Sequence, residues 1–268
     1  MITSAQNPKI KLVRALMGRP KERREAGAFI AEGVRLIEDA VRANWPFRFV
    51  LFDEMLSERG KSQVESLTSR GVECEQVSLR LMKSLSDTET SQGILAVLEL
   101  TPLPLPLSPD FLLILDQIRD PGNLGTLLRS ADAAGVQAVL LPPETTDAFA
   151  PKVVRAGMGA HFRLPIHAMT WDEIIRVGRL ASLQVFLADM HGQSCWETNL
   201  RQPLALIVGG EAEGASESAR KLTDQKIGIP MTEKAESLNA AVAGSVLMFE
   251  VVRQRNNTSG LDTAALVE

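Results

Sequence analysis

Three short segments of this 268-residue sequence place polar side chains directly after apolar runs that are typical of β-strands. They contain, in chain order, Asn123 with Arg129, Glu211 within a glycine-rich turn, and Ser237 with Asn239. In an open α/β sheet, ligands bind at the edge formed by the carboxyl ends of the strands. A carboxylate at that edge can accept a proton and a guanidinium can stabilise a developing anion, so the three segments are a candidate catalytic site.

The first segment is predicted to open a helix, with Asn123 as its N-cap. The apolar residues of this helix recur at the spacing of one helical face, at Leu124, Leu127, Leu128 and Ala131. Arg129 lies roughly 150° around the helix from that face. We therefore expect Arg129 to point away from the core, either as an ordinary solvated side chain or as a ligand-binding one.

The second segment, residues 207–216, has the strand–turn–helix outline of a phosphate-binding loop but contains neither G-x-G-x-x-G nor G-K-[ST]. Glu211 and Glu213 would repel a pyrophosphate, whereas the glycines allow the backbone to approach a ligand closely. The turn therefore suits an uncharged or cationic ligand, and the alternative is a tight turn with exposed glutamates. In the third segment, Ser237 is predicted to cap the last long helix.

The order and spacing of the three segments resemble the three motifs of the SpoU (TrmH-like) branch of the SPOUT RNA methyltransferases. The first motif, N-x-G-x-x-x-R, is matched by Asn123, Gly125 and Arg129. The second, G-x-E-x-x-G, is matched by Gly209, Glu211 and Gly214. The third, I-P-M followed after five residues by S-L-N, is matched by residues 229–231 and 237–239. Ala212 and Ala240 stand where many members have glycine and valine, and neither removes a polar group.

The resemblance implies a parallel sheet tied in a C-terminal trefoil knot, preceded by a small α/β domain that recognises RNA. It implies S-adenosylmethionine (AdoMet) as the cofactor, which is cationic at sulfur and has no phosphate. The implied reaction transfers the methyl group to a ribose 2'-hydroxyl, with ribosomal RNA as the expected substrate and tRNA as the alternative. A base methyltransferase, a non-catalytic RNA-binding protein of the same fold and a nicotinamide-dependent oxidoreductase are further alternatives.

The resemblance also assigns roles to individual residues. The polar residues expected at the reacting atoms are Asn123, Arg129, Glu211, Ser237 and Asn239. Those expected to line the adenosyl pocket, largely through backbone groups, are Gly209, Ile229, Met231 and Leu238. Because an arginine guanidinium stays protonated in proteins, we expect Arg129 to orient the substrate and stabilise its oxygen, with Glu211 as a candidate proton acceptor. Which of the two accepts the proton stays open.

Charge and proline content predict the domain organisation. Residues 1–50 carry ten Lys and Arg against five acidic residues, and the remaining chain is acidic enough to bring the net charge to -4. Such a basic segment favours binding to a polyanion such as RNA. The alternative is that the basic residues form a solvated helix face. Four prolines within 102–109 favour an extended connector. The predicted parts are an α/β recognition domain at 1–100, a linker at 101–109, the methyltransferase domain at 110–256 and a flexible tail at 257–268.

The sequence also predicts the location of the protein, its oligomeric state and whether it binds a metal. His191 and Cys195 are spaced four residues apart without a third ligand, so no metal is expected. No secretory signal or membrane-spanning run is recognised, and two cysteines are too few for a disulfide framework, so we expect a soluble, cytoplasmic protein. The last helix carries more bulky apolar residues than one core-facing stripe requires, which predicts a homodimer that pairs through this helix.

Overall fold

The computed structural model describes residues 1–86, 91–210, 214–232 and 237–256. The predicted tail at 257–268 and the predicted acceptor Glu211 therefore lie outside the described residues. The chain divides into two compact units. Unit 1 comprises residues 1–102 and 147–163, and unit 2 comprises residues 103–146 and the chain from 164 onward. No helix within the described ranges is long and apolar enough to cross a membrane.

Unit 1 contains a four-stranded mixed sheet with the strand order β1–β4–β2–β3. Its strands are β1 (Ala28–Glu32), β2 (Phe47–Phe52), β3 (Glu73–Gln76) and β4 (Ile94–Glu99). The helices between them are α1 (Pro8–Met17), α2 (Pro20–Ala26), α3 (Val34–Arg42), α4 (Glu58–Ser69) and α5 (Leu79–Leu85). Strand β4 pairs antiparallel with both β1 and β2, and its first five residues are buried, so it forms the centre of this core.

The remaining elements alternate strand and helix. They are β5 (Phe111–Asp116), α6 (Pro121–Ala133), β6 (Ala138–Leu141), α7 (Pro151–Ala156), a 3-10 helix (Ala160–Phe162), β7 (Ile166–Ala168), α8 (Trp171–Leu180), β8 (Gln184–Ser194), β9 (Leu204–Gly209), α9 (Glu217–Leu222), β10 (Gln225–Gly228) and α10 (Ala240–Asn256). The six strands form one parallel sheet in the order β10–β8–β9–β5–β6–β7. The predicted open parallel sheet is confirmed. Strand β7 was not predicted, because three residues are too short to show a pattern.

The segment 147–163 packs in unit 1, although the predicted domain 110–256 treats it as part of the second domain. Aromatic contacts explain this difference. The ring centroids of Phe149 and Phe29 are 5.0 Å apart, and those of Phe162 and Trp45 are 5.3 Å apart. Asp147 accepts a hydrogen bond of 2.7 Å from Nε of the buried Arg23. Contacts between residues so far apart in the chain leave no local sequence pattern.

The proline-rich linker also differs from its prediction as a separate connector. The chain passes from unit 1 to unit 2 after Pro102, so most of 101–109 belongs to unit 2. Nε2 of His167 lies 2.8 Å from the carbonyl oxygen of Leu103, and Leu105 packs against the apolar core of unit 2. The prolines make the segment extended, but the leucines between them provide apolar surface that attaches it to the unit.

The ladder between β8 and β10 is interrupted beside the edge where the motifs were predicted to meet. Lys226 lies opposite Leu187, yet the next residue, Ile227, lies opposite Gln193. Five residues of β8, 188–192, are therefore skipped in this ladder. Gly192 is required here, because a Cβ atom at this position would lie 2.6 Å from the backbone of Ile227.

Candidate active site

A cavity of about 540 Å³ lies in unit 2 at the carboxyl end of β9. Its wall is formed by the end of β9, the chain that follows β10, the beginning of α10 and the skipped segment of β8. The four residues predicted to bind the cofactor line it, namely Gly209, Ile229, Met231 and Leu238. Ser237 and Asn239 also line the cavity. The structure thus brings the second and third motifs to one site, while the roles of the individual residues stay predictions.

The first motif is connected to this site by a side-chain hydrogen bond. Nδ2 of Asn239 donates to Oδ1 of Asn123 over 3.1 Å. Asn239 lines the cavity, and Asn123 lies in the first turn of α6. Two segments separated by more than a hundred residues therefore meet at the rim of the cavity, as their position after parallel strands predicts.

The caps of the two helices differ from the sequence predictions. Helix α6 begins at Pro121, and its N-cap is Asp120, whose Oδ1 accepts from the backbone N–H of Asn123 over 2.8 Å. Proline is favoured at the first helical position, which moves the start of the helix ahead of Asn123. Helix α10 begins at Ala240, not at Ser237. Oδ1 of Asn239 accepts from the N–H groups of Ala241 and Val242, so Asn239 caps this helix.

Arg129 is exposed on α6, as its place on the helix predicts. The buried face of this helix consists of Leu124, Gly125, Leu127, Leu128 and Ala131. Arg129 is not among the residues that line the cavity. Within the part of the chain that the structure describes, its guanidinium has no hydrogen bond or ion pair. The side chain is therefore available to a ligand that approaches the surface of α6.

The two glycines that flank the segment containing Glu211 are paired with each other. Gly210 and Gly214 form an isolated β-bridge, and the N–H of Gly214 donates to the carbonyl of Gly210 over 3.1 Å. Gly210 is pressed against the chain that leaves β5, since a Cβ atom at this position would clash with the carbonyl oxygen of Gln117. A glycine is required at position 210 by this close approach.

Asp116 was missed by the sequence analysis and links the first two motifs. It is the last residue of β5, lies beside Gly209 in the ladder and is fully buried. Its Oδ2 accepts from the N–H of Ser216 over 2.6 Å, which attaches the end of the Glu211 turn to β5. Its Oδ1 has no hydrogen-bond partner among the described residues. The signal that could have found it is a carboxylate at the end of an otherwise apolar strand.

The skipped segment of β8 adds charged groups that the sequence analysis did not predict. Nζ of Lys226 lies 2.8 Å from Oδ2 of Asp189, and Oδ1 of Asp189 accepts from the N–H of His191. The hydrogen bond from Lys226, followed by that from His191, lowers the pKa of Asp189, so this cavity residue stays ionised. No three His, Cys, Asp or Glu side chains are grouped as a metal site requires, as far as the described ranges extend.

Comparisons with known proteins agree with the motifs. Residues 110–249 match the SpoU rRNA Methylase family, and residues 7–96 match the MRM3-like substrate binding domain. The chain is 33% identical to "23S rRNA (guanosine(2553)-2'-O)-methyltransferase RlmP" of Bacillus subtilis, covering 93% of this chain and 98% of that protein. It is 34% identical to "23S rRNA (uridine(2479)-2'-O)-methyltransferase" of Streptomyces viridochromogenes, covering 94% and 92%.

A solved structure supports the fold and the cofactor. The AdoMet-bound rRNA methyltransferase from Sinorhizobium meliloti superimposes with a TM-score of 0.83 at 31% identity, covering 94% of this chain and 97% of the other. The motif residues around the cavity, the family match over more than half of the chain and the full-length relatives agree with one another. The chain therefore belongs to the SpoU rRNA methylase family.

Proposed function

We propose that this chain transfers the methyl group of AdoMet to a ribose 2'-hydroxyl of large-subunit ribosomal RNA. The observation that carries the proposal is the hydrogen bond between Asn239 and Asn123 at the rim of the cavity. It joins the first motif, which provides Arg129, to the third motif, which lines the cavity. The similar proteins of B. subtilis and S. viridochromogenes are named as 23S rRNA 2'-O-methyltransferases, which favours ribosomal RNA over tRNA.

The cavity has the size and the lining that the cofactor requires. Its volume of about 540 Å³ is typical of small-molecule sites. The apolar side chains of Ile229, Met231 and Leu238 suit the adenosyl group, and the glycine at 209 lets the backbone approach it. Neither a glycine-rich phosphate loop nor a P-loop lysine is present in the sequence, as expected for a ligand without phosphates. When bound, AdoMet supplies an activated methyl group.

The residues of the chain would then prepare the substrate hydroxyl. Its oxygen forms a bond to the methyl carbon as the carbon–sulfur bond breaks, and its proton must leave. The guanidinium of Arg129 stays protonated, so it suits holding the RNA phosphate and stabilising the 2'-oxygen. Glu211 is the candidate acceptor of the proton. The Asn123–Asn239 pair would hold the two motifs in register, which matters because in-line transfer depends strongly on orientation.

The proposal is tested on ribosomal RNA extracted from cells that lack the enzyme. Incubation with the purified protein and AdoMet is expected to add 2'-O-methyl groups at one or a few mapped positions. Calorimetry is expected to show binding of AdoMet and none of NAD. Modification of a base, or binding of AdoMet without methylation of the RNA, would favour the alternative activities.

Unit 1 is proposed to recognise the RNA. Five of the cations counted in residues 1–50 are exposed on or beside helices α1 and α2, namely Lys11, Arg14, Arg19, Lys21 and Arg24. Four others are paired with carboxylates: Lys9 with Glu73 and Glu75, Arg23 with Asp147, Arg42 with Asp39, and Arg48 with Glu99. Within the exposed group, Lys21 pairs with the exposed Glu25. The exposed group is the part of the basic segment that could neutralise phosphates. Replacing three of the five with glutamine should weaken RNA binding and reduce its salt dependence.

We also propose that the chain forms a homodimer through α10. A trefoil knot around the cavity is proposed as well. Val242, Val246 and Phe249 follow one stripe of α10, and Phe249 and Trp196 are each about half exposed. An apolar stripe of this kind suits a second copy of the chain. Light scattering at micromolar concentration should give twice the mass of the chain, and Phe249→Glu should give the mass of a monomer. A monomeric wild type with full activity would contradict the dimer.

A further inference from the structure

Two non-glycine residues with left-handed backbone angles lie next to each other at the carboxyl edge of the sheet in unit 2. Gln117 follows β5 with a φ of 56°, and Glu144 follows β6 with a φ of 71°. L-residues with long side chains rarely adopt such angles, because Cβ crowds the backbone. Strain of this kind persists where the surrounding structure enforces it, and it clusters at functional sites.

Hydrogen bonds between the two loops enforce these conformations. The N–H of Gln117 donates to Oγ1 of Thr145 over 3.0 Å, and the same hydroxyl donates to the carbonyl of Leu115 over 2.7 Å. The N–H of Thr146 donates to the carbonyl of Ile118 over 3.0 Å. The ends of β5 and β6 are therefore held together, and the unfavourable backbone angles are fixed in a rigid arrangement.

Three polar side chains lie on or beside this strained backbone, and we name them the edge triad: Gln117, which is half-buried, and the exposed Arg119 and Glu144. Oε2 of Glu144 accepts from Nε2 of Gln117 over 3.4 Å and from Nη2 of Arg119 over 3.2 Å. The side chains of Arg119 and Glu144 are 58% and 63% exposed. Exposed polar groups add little to the apolar core, so packing of these side chains does not explain why the strain is tolerated.

The edge triad adjoins the candidate active site on two sides. The carbonyl of Gln117 lies against Gly210, which lines the cavity. Arg119 directly precedes Asp120, the cap of the helix that carries Asn123 and Arg129. A polymer whose reacting ribose lies beside Asn123 would therefore pass over the ends of β5 and β6.

The chemistry of the edge triad suits a nucleobase. Its formal charge is zero, and it combines an amide, a guanidinium and a carboxylate, which offer both donors and acceptors. A phosphate would be repelled by Glu144, whereas the edge of an unpaired base presents both kinds of partner. We propose that the edge triad binds the Watson–Crick edge of a nucleobase next to the methylated ribose, and so contributes to site selection. This inference rests on the proposed function.

Glycine substitutions separate this role from a structural one, because glycine adopts positive φ without strain. Gln117→Gly and Glu144→Gly are each expected to keep the melting temperature within about 2 °C of the wild type or above it. Their affinity for AdoMet should stay within about twofold, while kcat/KM on ribosomal RNA from cells lacking the enzyme falls by about tenfold or more. Mapped methylation should spread to additional positions. Ser182→Gly is the matched control, since Ser182 is an exposed residue of unit 2 with a φ of 51°.

Unchanged kcat/KM and unchanged methylation sites in both glycine variants would overturn the inference, as would loss of AdoMet binding in them. If a glycine variant is less stable than expected, Gln117→Asn provides the second test of the inference, because asparagine tolerates the left-handed region and keeps an amide. It should retain the melting temperature and show an altered choice of sites, and wild-type site choice in this variant would overturn the inference. Failure of the wild type to methylate the RNA would instead refute the proposed function.

Discussion

Asn239 performs two tasks with one side chain: its Oδ1 caps helix α10, and its Nδ2 donates to Oδ1 of Asn123. The cap fixes the orientation of the amide, because the oxygen must face the helix and the nitrogen then faces Asn123. The first turn of α10 is in this way aligned with the first turn of α6. The two tasks can be separated, since a carboxylate can cap a helix but cannot donate.

We therefore predict different outcomes for two substitutions at this position. Asn239→Ala should lower the free energy of unfolding by about 1 kcal/mol through loss of the cap, and should also reduce turnover. Asn239→Asp should keep the stability, because a carboxylate is a good cap, but should reduce turnover to a similar extent. Denaturant unfolding and methylation rates measure the two effects. Normal turnover in the aspartate variant would show that the bond to Asn123 has no catalytic importance.

Arg129→Ala is expected to abolish methyl transfer while leaving the fold and the affinity for AdoMet intact. The side chain is exposed on α6 and is absent from the cavity wall, so its removal disturbs neither packing nor cofactor binding. Arg179→Ala, at an exposed position of α8, is the control for the loss of one surface charge. Single-turnover methylation and calorimetry with AdoMet provide the readouts. More than about a tenth of the wild-type rate, equivalent to about 1.4 kcal/mol of barrier, would contradict the assigned role.

The sequence patterns predicted those features of the fold that depend on neighbouring residues. The apolar runs that precede the three motif segments are strands β5, β9 and β10, and a helical stripe placed Arg129 on the exposed side of α6. Because ligands bind at the carboxyl edge of such a sheet, Asn123 and Asn239 were predicted to lie at one site. These predictions succeeded because strand and helix periodicity are local properties of the chain.

Features that depend on contacts between distant residues could not be predicted in this way. The skipped segment of β8 places Asp189 at the cavity, yet its residues show no pattern that distinguishes them from a continuous strand. The cap of α6 was misplaced by three residues and that of α10 by two, because Asp120 and Asn239 compete with equally good capping residues nearby. The left-handed conformation of Gln117 is imposed by Thr145, which lies 28 residues later.

Deletion of residues 1–102 tests the packing of the segment 147–163. The domain boundaries expected from the sequence, 1–100 and 110–256, predict that deletion of residues 1–100 leaves a folded, AdoMet-binding protein that methylates RNA poorly. The structure adds that Phe149 and Phe162 lose their aromatic neighbours in unit 1, so the shortened protein should expose apolar surface and aggregate. Replacing both phenylalanines with serine should restore a monodisperse protein that binds AdoMet. A shortened protein that is monodisperse without these substitutions would show that the segment does not need unit 1.

One buried histidine is expected to make the stability of the protein depend on pH. His161 is buried in unit 1, and Nε2 lies 2.7 Å from the carbonyl oxygen of Ala148. Burial lowers the pKa of His161 to about 4, although the Ala148 carbonyl and Asp147 oppose this shift. The ring is therefore neutral at pH 7, with its proton on Nε2, where it donates to Ala148.

Because the pKa of this histidine is lower in the folded state than its ordinary value of about 6.5, the unfolded chain binds the proton more readily. The stability provided by the neutral ring is complete above about pH 6.5 and is lost as the pH falls towards 4, by roughly 3 kcal/mol in all. The free energy of unfolding, measured with urea between pH 7 and pH 4.5, should fall more steeply with decreasing pH in the wild type than in His161→Phe. His191→Gln, which changes an exposed ring, should follow the wild type. Equal declines in the wild type and His161→Phe would mean that His161 is not held neutral by the fold.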